Sequence, residues 1–413
     1  MNLHEQFGYL CAIVATQTNN YEVSSLPPQW SMEEWFAFVN LADRNEVLPF
    51  LFSRIRDYHW EKTIPPAVYD KLRKSYLSNA ARNTILLHEA STLISAFQVQ
   101  KIDVVGLKGI YLVENAYSDI ALRRIDDVDF LVPPNKIKDA IRILEGLGYT
   151  QSTYFNPQDS NMEIKHVPPM FKPHYQAVEL HWTILEDVWP FSIDLDGLWE
   201  RAIPCGIGSG RALALSTEDL LLHLCLHFTY QHRLKAGLRY LVDIQEVLAS
   251  TGGQIDWYVL CERAKSWGLE KILRLTFALL KDFLGIEIPL TAHNYLHLAD
   301  MDQDILAAAK LQIITSKTTF DLTPDLASFS SAGIGGRFRI AMRRIFLPRN
   351  LLARLYNISP NSPRVLLYYP VRFLYLVRRY TKNILRIISN DQIALQEVTR
   401  EKENQKIHDW LQS

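Results

Sequence analysis

Cysteine is scarce in this sequence, which limits the kinds of site and compartment to expect. The 413 residues contain four cysteines, Cys11, Cys205, Cys225 and Cys261, and no Cys-x-x-Cys pair. This spacing supports neither a zinc site nor a disulfide framework. We therefore expect a reducing compartment and thiols that act as small apolar core residues.

Long apolar runs are absent as well, which argues against a membrane-spanning protein. No stretch of about 18 uncharged apolar residues occurs, so the sequence predicts no transmembrane helix. The N-terminus lacks the features of a signal peptide, because Glu5 lies where basic residues would stand and the apolar run from Tyr9 to Ala15 is short. A cytoplasmic protein is expected, and the compactness of the chain suggests a bacterial source.

Net charge is nearly absent, but the charges are unevenly distributed. Lysine and arginine number 44 and aspartate and glutamate 45, for a formal net charge of −1. From Leu326 to Asn390 the chain has eleven arginines, one lysine and no acidic residue, so the remainder carries a net charge of −13. An anionic partner is therefore compatible with the C-terminal segment, although the average charge alone discourages one.

Hydrophobic spacing divides the chain into four regions. Residues 1–100 carry helical spacing, and residues 101–215 alternate between short β-rich runs and helical segments. Residues 216–325 return to helical spacing, and residues 326–413 form a basic, aromatic helical segment. The pattern predicts an α+β protein, in which a small mixed-sheet core is flanked by N-terminal and C-terminal helical regions.

Two serines have the features of helix N-caps. Ser31 is followed three residues later by Glu34, its capping-box partner, and Trp30 and Trp35 stand at the two positions of a hydrophobic staple. Ser216 precedes a first turn with two acidic residues, the sign of charge that the positive end of a helix favours. These signals predict helices that begin at about residues 32 and 217.

Three β-rich runs with helical segments between them occupy the central region. The strands are predicted near residues 102–105, 128–132 and 175–184. Their strand–helix–strand–helix–strand order is typical of an α/β core. The glycine-rich stretch 206–210 lacks the spacing of a nucleotide-binding loop and predicts a hairpin or a linker.

The second of these runs carries a pair of carboxylates. Residues two apart in a strand point to the same face, so Asp127 and Asp129 should project side by side, with Val128 and Phe130 on the core side. Two adjacent carboxylates repel each other unless a cation lies between them, and oxygen ligands suit Mg²⁺. The alternative interpretation is a strand end that faces solvent, where paired acidic side chains are simply hydrated.

A glycine-flanked turn precedes this pair. Gly106-Leu107-Lys108-Gly109 directly follows a predicted strand and opens a helix. Such a turn allows backbone N–H groups to approach a phosphate, and Lys108 can add a point charge to the same anion. Strand–glycine–helix turns are common, so this signal gains weight only from the carboxylates that follow it.

Together these residues resemble a known family, the bacterial nucleotidyltransferase-like family of the DNA polymerase β superfamily. The segments that carry the resemblance are Leu107-Lys108-Gly109, Tyr117, Arg123, Asp127 to Val132, Leu147-Gly148-Tyr149, Val178 to Trp182, Leu220 to His227 and Leu241-Val242-Asp243. They cover roughly residues 30 to 290. The superfamily places a small-residue turn before a helix, an Asp-x-Asp pair on the next strand and a third carboxylate on a later strand.

The resemblance implies transfer of a nucleoside monophosphate from a nucleoside triphosphate to an unknown hydroxyl acceptor, with release of pyrophosphate. Asp127 and Asp129 match the metal-binding pair, and Glu179 matches the third carboxylate. These three residues are implied to be catalytic and to hold Mg²⁺. Glu179 would also orient or deprotonate the acceptor hydroxyl.

The resemblance also implies which residues bind the triphosphate. Lys108 and Gly109 stand at the small-residue pair, with Lys108 in the place of a glycine. Arg123 would help to neutralise the phosphates. The interval from Gly109 to Asp127 is longer than the usual spacing of the superfamily.

A protein of another class is compatible with the same fold, because fold does not determine activity. This alternative is a catalytically inactive nucleotide-binding or scaffold protein. Three converging carboxylates favour the enzyme, whereas a Glu179 more than about 8 Å from the aspartate pair would favour the alternative, since paired metal ions lie about 4 Å apart.

Two groups of histidines have both structural and functional interpretations. His223 and His227 share one face of a leucine-rich helix, which favours structural core residues over a metal site. The alternative is that they line the pocket for the acceptor. His181 shares a strand face with Glu179, where it could contact this carboxylate or the substrate.

The basic C-terminal segment leaves three interpretations open. It could be a helical cap on the core, with its arginines solvated or paired. It could contact a membrane surface, such as the inner membrane, because apolar residues beside arginines suit anionic lipid. It could bind RNA through phosphate contacts and aromatic stacking.

Overall fold

A computed structural model describes residues 2–15, 29–151, 166–185, 190–235, 237–315, 334–356, 358–359, 361–388 and 392–413. The chain forms two compact units. The first consists of Met1–Phe155 and Glu163–Lys317, and the second of Asn156–Met162 and Thr318–Ser413. The division into four regions inferred from the sequence stays a prediction.

Four helices precede the sheet of the first unit: α1 (Leu3–Val14), α2 (Met32–Arg44), α3 (Leu48–Asp57) and α4 (Pro66–Val99). The capping box at α2 is confirmed, since Ser31 Oγ accepts from the Glu34 N–H and the Glu34 carboxylate accepts from the Ser31 N–H. The staple is also confirmed, with the rings of Trp30 and Trp35 4.8 Å apart. Local sequence therefore determines where this helix begins.

Seven strands form one mixed sheet in the first unit. They are β1 (Val105–Gly106), β2 (Asp127–Leu131), β3 (Thr150–Gln151), β4 (Met170–Phe171), β5 (Ala177–His181), β6 (Ile203–Ile207) and β7 (Gly210–Ala214). Their order across the sheet is β3-β4-β5-β2-β1-β7-β6. The pairs β2–β5 and β1–β7 are parallel, and the other neighbours are antiparallel. The fold is thus mixed α/β, as predicted.

The sheet is larger than the sequence indicates. The three predicted strands correspond to β1, β2 and β5, but β1 overlaps the prediction only at Val105 and β5 is shorter than predicted. Strands β3 and β4 are two residues long, too short to show a hydrophobic period. The glycine-rich stretch forms the turn of the β6–β7 hairpin, where Gly208 adopts a φ of 56° and a Cβ would meet the Leu87 carbonyl oxygen at 2.6 Å.

Helices α5 (Lys108–Asn115), α6 (Ile137–Gly146) and α7 (Leu195–Glu200) lie between the strands. The central strands are anchored by apolar side chains that pack with α4. Val128 and Phe130 of β2 and Val178 of β5 are fully buried, and Phe130 meets Phe97 of α4 edge to face at 5.8 Å. As predicted, these side chains lie on the core side, which directs the aspartates of β2 to the opposite face.

After the sheet, the described residues of the first unit form the helices α8 (Thr217–Leu226), α9 (Arg239–Ser250), α10 (Trp257–Trp267), α11 (Glu270–Leu284), α12 (Leu290–Tyr295) and α13 (Gln303–Ile314). Ser216 is the predicted N-cap of α8, since its Oγ accepts from the Asp219 N–H. A π-helical turn, His227–Gln231, continues α8. Of the four cysteines, Cys205 is half-buried and the other three are buried.

The described part of the second unit is helical. Its helices are Ile334–Ile345, Arg349–Leu355, Tyr368–Ile388 and Gln392–Gln412, with a 3-10 turn at Pro363–Leu367. Leu352, Ala353 and Val365 form a small buried core. Among the described residues of either unit, no helix combines the length and hydrophobicity of a membrane-spanning segment.

Candidate functional site

Parallel pairing of β2 with β5 brings the predicted carboxylates together. The register places Asp129 opposite Glu179 and Leu131 opposite His181. Ligand atoms of Asp129, Glu179 and His181 all lie within 4.8 Å of one another. Glu179 therefore lies well within about 8 Å of Asp129, whereas this group of ligand atoms does not include Asp127.

Asp129 is the centre of this cluster. Its carboxylate is buried, with His181 Nε2 2.8 Å from Oδ1 and Lys108 Nζ 3.2 Å from Oδ2. Burial alone would raise the pKa of Asp129, but Lys108 and His181 outweigh it and hold this pKa well below its usual range. Asp129 is therefore ionised at neutral pH.

Asp127 lies next to the Asp129 carboxylate, whose charge changes the pKa of Asp127. The Asp129 carboxylate, together with burial, raises the pKa of Asp127 to about 7. Its carboxylate does not belong to the group of ligand atoms within 4.8 Å, where His181 stands instead. The two aspartates are thus adjacent along β2, and the charge of Asp129 disfavours ionisation of Asp127.

Glu179 is less buried than Asp129 and contacts two histidines. Its Oε2 lies 3.5 Å from His181 Nε2 and 3.8 Å from His166 Nε2. Burial would raise the pKa of Glu179, but the hydrogen bond from His181 and the nearby histidine charges lower it overall. His166 pairs with His181 in an isolated bridge outside any named strand. Because it belongs to no strand, no hydrophobic pattern in the sequence indicates its position.

Lys108 enters the cluster from a strained backbone position. It is the first residue of α5 and has a φ of 46°, a left-handed conformation that glycine adopts more readily. The Leu107 N–H donates to the Asp129 carbonyl at 3.0 Å, which ties this turn to β2. Burial lowers the pKa of Lys108, but the Asp129 carboxylate outweighs it and the pKa is raised.

Arg123 and Gly109, two of the predicted site residues, pack against each other. The Arg123 guanidinium binds both oxygens of Asp243, with Nε–Oδ1 at 2.7 Å and Nη2–Oδ2 at 3.0 Å. A Cβ on Gly109 would lie 2.7 Å from Arg123 Nη1 and 3.0 Å from Ile125 Cγ2. Glycine at 109 is therefore required by packing, and Arg123 is held by a buried carboxylate.

These residues share a cavity of about 480 Å³. Five of the six predicted site residues line it: Lys108, Gly109, Arg123, Asp127 and Glu179. Asp129 lies behind this surface. The cavity wall contributed by later parts of the chain consists of Leu224, His227, His232, Lys235, Arg239, Tyr240 and Asp243. Of this wall, sequence analysis covered Leu224, His227 and Asp243, but it did not identify His232, Lys235, Arg239 or Tyr240.

His227 and His232 line the cavity, whereas His223 does not. His223 and His227 are buried. His227 Nδ1 lies 2.7 Å from Gln231 Oε1, and its Nε2 lies 3.0 Å from His232 Nε2. The structure thus supports both interpretations at His227, as a core residue and as part of the pocket lining.

Fold and site together define a class, an α/β protein with an acidic, histidine-containing cluster beside a lysine-bearing turn. Residues 31–285, more than half of the chain, match the family described as Uncharacterised nucleotidyltransferase, and the chain belongs to this family. The family suggests nucleotidyl transfer and a nucleotide substrate. The bacterial source and the polymerase β superfamily stay predictions. Neither a curated protein nor a solved structure matches the chain.

Proposed function

We propose that this protein transfers a nucleoside monophosphate from a nucleoside triphosphate to a hydroxyl acceptor, with Mg²⁺ as the divalent cation. The observation that carries the proposal is the grouping of Asp129, Glu179 and His181 within 4.8 Å, beside a cavity that Asp127 and Lys108 also line. Family membership supports the same chemistry.

The donor set fits a hard divalent cation. Carboxylate oxygens are the ligands that Mg²⁺ prefers, and Asp127, Asp129 and Glu179 would hold it. The raised pKa of Asp127 supports this fit, because two adjacent carboxylates ionise together only when a cation offsets their repulsion. When bound, the cation supplies charge neutralisation at the phosphates.

Lys108 would bind the triphosphate. Its ammonium group is already at the acidic cluster, and a compact point charge suits a phosphate oxygen. The N-terminus of α5 adds positive potential at the same position. On the wall contributed by later parts of the chain, Lys235 and Arg239 add positive charge and Tyr240 an aromatic ring.

Glu179 would take up the proton of the acceptor. Its lowered pKa keeps it ionised at neutral pH, and it lines the cavity. In the reaction the acceptor oxygen forms a bond to the α-phosphorus, the bond from this phosphorus to pyrophosphate breaks, and the hydroxyl proton passes to the Glu179 carboxylate. The electron pair of the broken bond leaves with pyrophosphate.

The experiment incubates the full chain with each α-labelled nucleoside triphosphate, Mg²⁺ and a cell lysate, and identifies the labelled product. Small molecules, tRNA ends, protein hydroxyls and glycans are separated afterwards, because the acceptor is unknown. We expect one class to be labelled, and expect Glu179→Gln to reduce labelling about a hundredfold or more. Asp139→Asn is the matched control, because Asp139 is an exposed acid on α6.

Calorimetry with Mg²⁺ and each triphosphate completes the test. We expect binding by the native protein and its loss in a variant with Asp127→Asn and Asp129→Asn. Binding without any labelled product would overturn the transferase and support the catalytically inactive nucleotide-binding alternative. Absence of both binding and labelling would overturn both functions.

A further inference from the structure

The second unit has an apolar surface that its own packing does not use. Leu366, Leu367, Val371, Phe373 and Leu374 lie on the 3-10 turn Pro363–Leu367 and the helix Tyr368–Ile388, and each is between 47% and 69% exposed. We call these five residues the apolar face. At 100° per residue, its three helical members span an arc of about 160° on one side of the helix.

The opposite side of the same helix is packed. Arg372 and Leu376 are buried there. Arg372 Nε donates to the Arg344 carbonyl at 2.6 Å, and the Tyr369 hydroxyl donates to the Leu347 carbonyl at 2.8 Å. The helix therefore has one side that stabilises the second unit and another that remains exposed.

A neighbouring helix that packs against the other side of this helix also exposes apolar side chains. Phe338, Met342 and Phe346 recur every fourth residue along Ile334–Ile345 and just beyond it, and all three are exposed. Phe346 stacks against Tyr369 with ring centroids 5.5 Å apart. The two helices are thus in contact, and large apolar side chains are exposed on both.

Exposed arginines accompany these apolar residues, and the stretch of sequence that carries them has no acidic residue. Arg339, Arg343, Arg364 and Arg378 are exposed. No aspartate or glutamate occurs from Leu326 to Asn390 to neutralise them. A surface that combines apolar side chains with arginines is complementary to a partner that is apolar inside and anionic outside.

We propose that the apolar face is a peripheral membrane-binding surface for anionic lipid. Arginines would contact the lipid phosphates while the leucine, valine and phenylalanine side chains enter the headgroup–acyl boundary, as in helices that lie about 5–10 Å deep in the interface. RNA fits the charge equally well but not the aliphatic residues, because leucine and valine have no π face on which a base can stack.

The test is co-sedimentation of the full chain with vesicles. Vesicles that contain phosphatidylglycerol and phosphatidylcholine are compared with vesicles of phosphatidylcholine alone. We expect binding to the anionic vesicles, weakened by salt, and about tenfold or greater loss of binding in a variant with Leu367→Gln and Leu374→Gln. Circular dichroism establishes that the variant remains folded.

A matched variant in the first unit separates this surface from general hydrophobicity. Leu77 and Ile85 are 48% and 58% exposed on α4, and Leu77→Gln with Ile85→Gln should leave vesicle binding unchanged. The proposal is overturned if native protein does not bind anionic vesicles, if both double variants bind as the native protein does, or if the protein shifts single-stranded RNA but not vesicles. Vesicle binding is measured without nucleotide, so its outcome does not depend on the proposed transferase activity.

Discussion

At the scale of one residue, Lys108 combines an unfavourable backbone conformation with a side-chain contact that the site uses. A left-handed conformation costs a residue with a side chain about 1–2 kcal/mol. Here the position brings Nζ to within 3.2 Å of a buried carboxylate, at the start of a helix. Strained residues of this kind concentrate at functional sites. The family resemblance places Lys108 at a position where glycine is usual. The φ of 46° agrees with this, because glycine adopts a positive φ more readily than other residues.

Lys108→Gly should be more stable than Lys108→Ala by about 1 kcal/mol. Both variants lose the ammonium group that faces Asp129, but only glycine adopts the positive φ without a steric cost. Urea unfolding of the two variants measures the difference. Equal stability, or a more stable alanine variant, would show that the backbone at this position is not strained.

The buried pair of Arg123 and Asp243 illustrates an interaction that is costly to break. Their side chains are 5% and 1% exposed. Asp243→Asn should reduce the free energy of unfolding by about 3 kcal/mol or more, because it leaves the Arg123 cation buried without its counter-charge. Chemical denaturation measures this loss.

The exposed pair of Arg142 and Asp139 is the control for this substitution. Its side chains are 73% and 48% exposed, at a comparable separation of 3.0 Å. Asp139→Asn should therefore change the free energy of unfolding by less than about 1 kcal/mol. Similar losses for the two substitutions would contradict the argument from burial.

At the scale of elements, α9 carries charges on a buried side. Arg239, Asp243 and Glu246 follow one another at intervals of four and three residues and are all buried. Asp243 binds Arg123, whereas the Glu246 carboxylate accepts a hydrogen bond from the neighbouring Gln245 at 3.2 Å. Burial raises the pKa of Glu246, with a further contribution from Asp243.

The raised pKa of Glu246 predicts a pH-dependent stability. A raised pKa means that ionisation of Glu246 is less favourable in the folded protein than in the unfolded chain. The free energy of unfolding therefore falls as the pH rises from the ordinary glutamate pKa through the raised one. Glu246→Gln should therefore match the native protein at acidic pH and become the more stable of the two near neutral pH. Thermal unfolding across this pH range checks it, and a difference that is constant with pH would contradict it.

Strand pairing is the element-scale feature that completes the candidate site. Alternation along β2 was sufficient to predict that Asp127 and Asp129 share a face. The approach of Glu179 depended on a family resemblance, because no local pattern shows that β5 pairs with β2 in parallel and with Asp129 opposite Glu179. Strands of two residues, such as β3 and β4, were missed because they have no measurable period.

At the scale of the whole molecule, substrate binding and stability should be linked. A ligand that binds only the folded state stabilises it by about 2.7 kcal/mol at a hundredfold excess over its dissociation constant. Mg²⁺ with the correct nucleoside triphosphate should therefore raise the melting temperature of the native protein, whereas Glu179→Gln should show a smaller rise. Thermal shift measurements with and without a chelator test this, and an equal shift in both proteins would exclude Glu179 from the binding site.

The distribution of charge is a second property of the whole chain. A net charge of −1 conceals a segment of twelve cations without acids and a remainder of −13. The structure adds that five of the described arginines in this segment are exposed, as are leucine, valine and phenylalanine side chains of the same segment. The distribution of charge, rather than the average, therefore makes an anionic partner compatible, and the exposed apolar side chains favour the lipid surface proposed above.

The sequence by itself determined the features that depend on near neighbours: the capped start of α2, the alternation of β2 and the cationic C-terminal segment. Only the tertiary structure decided that His181 reaches Asp129 across 52 positions and that Arg123 reaches Asp243 across 120. Caps and alternation follow from backbone geometry over a few residues, whereas these contacts depend on how strands pair and helices pack. The side chains of the candidate site therefore meet because of packing that no local pattern encodes.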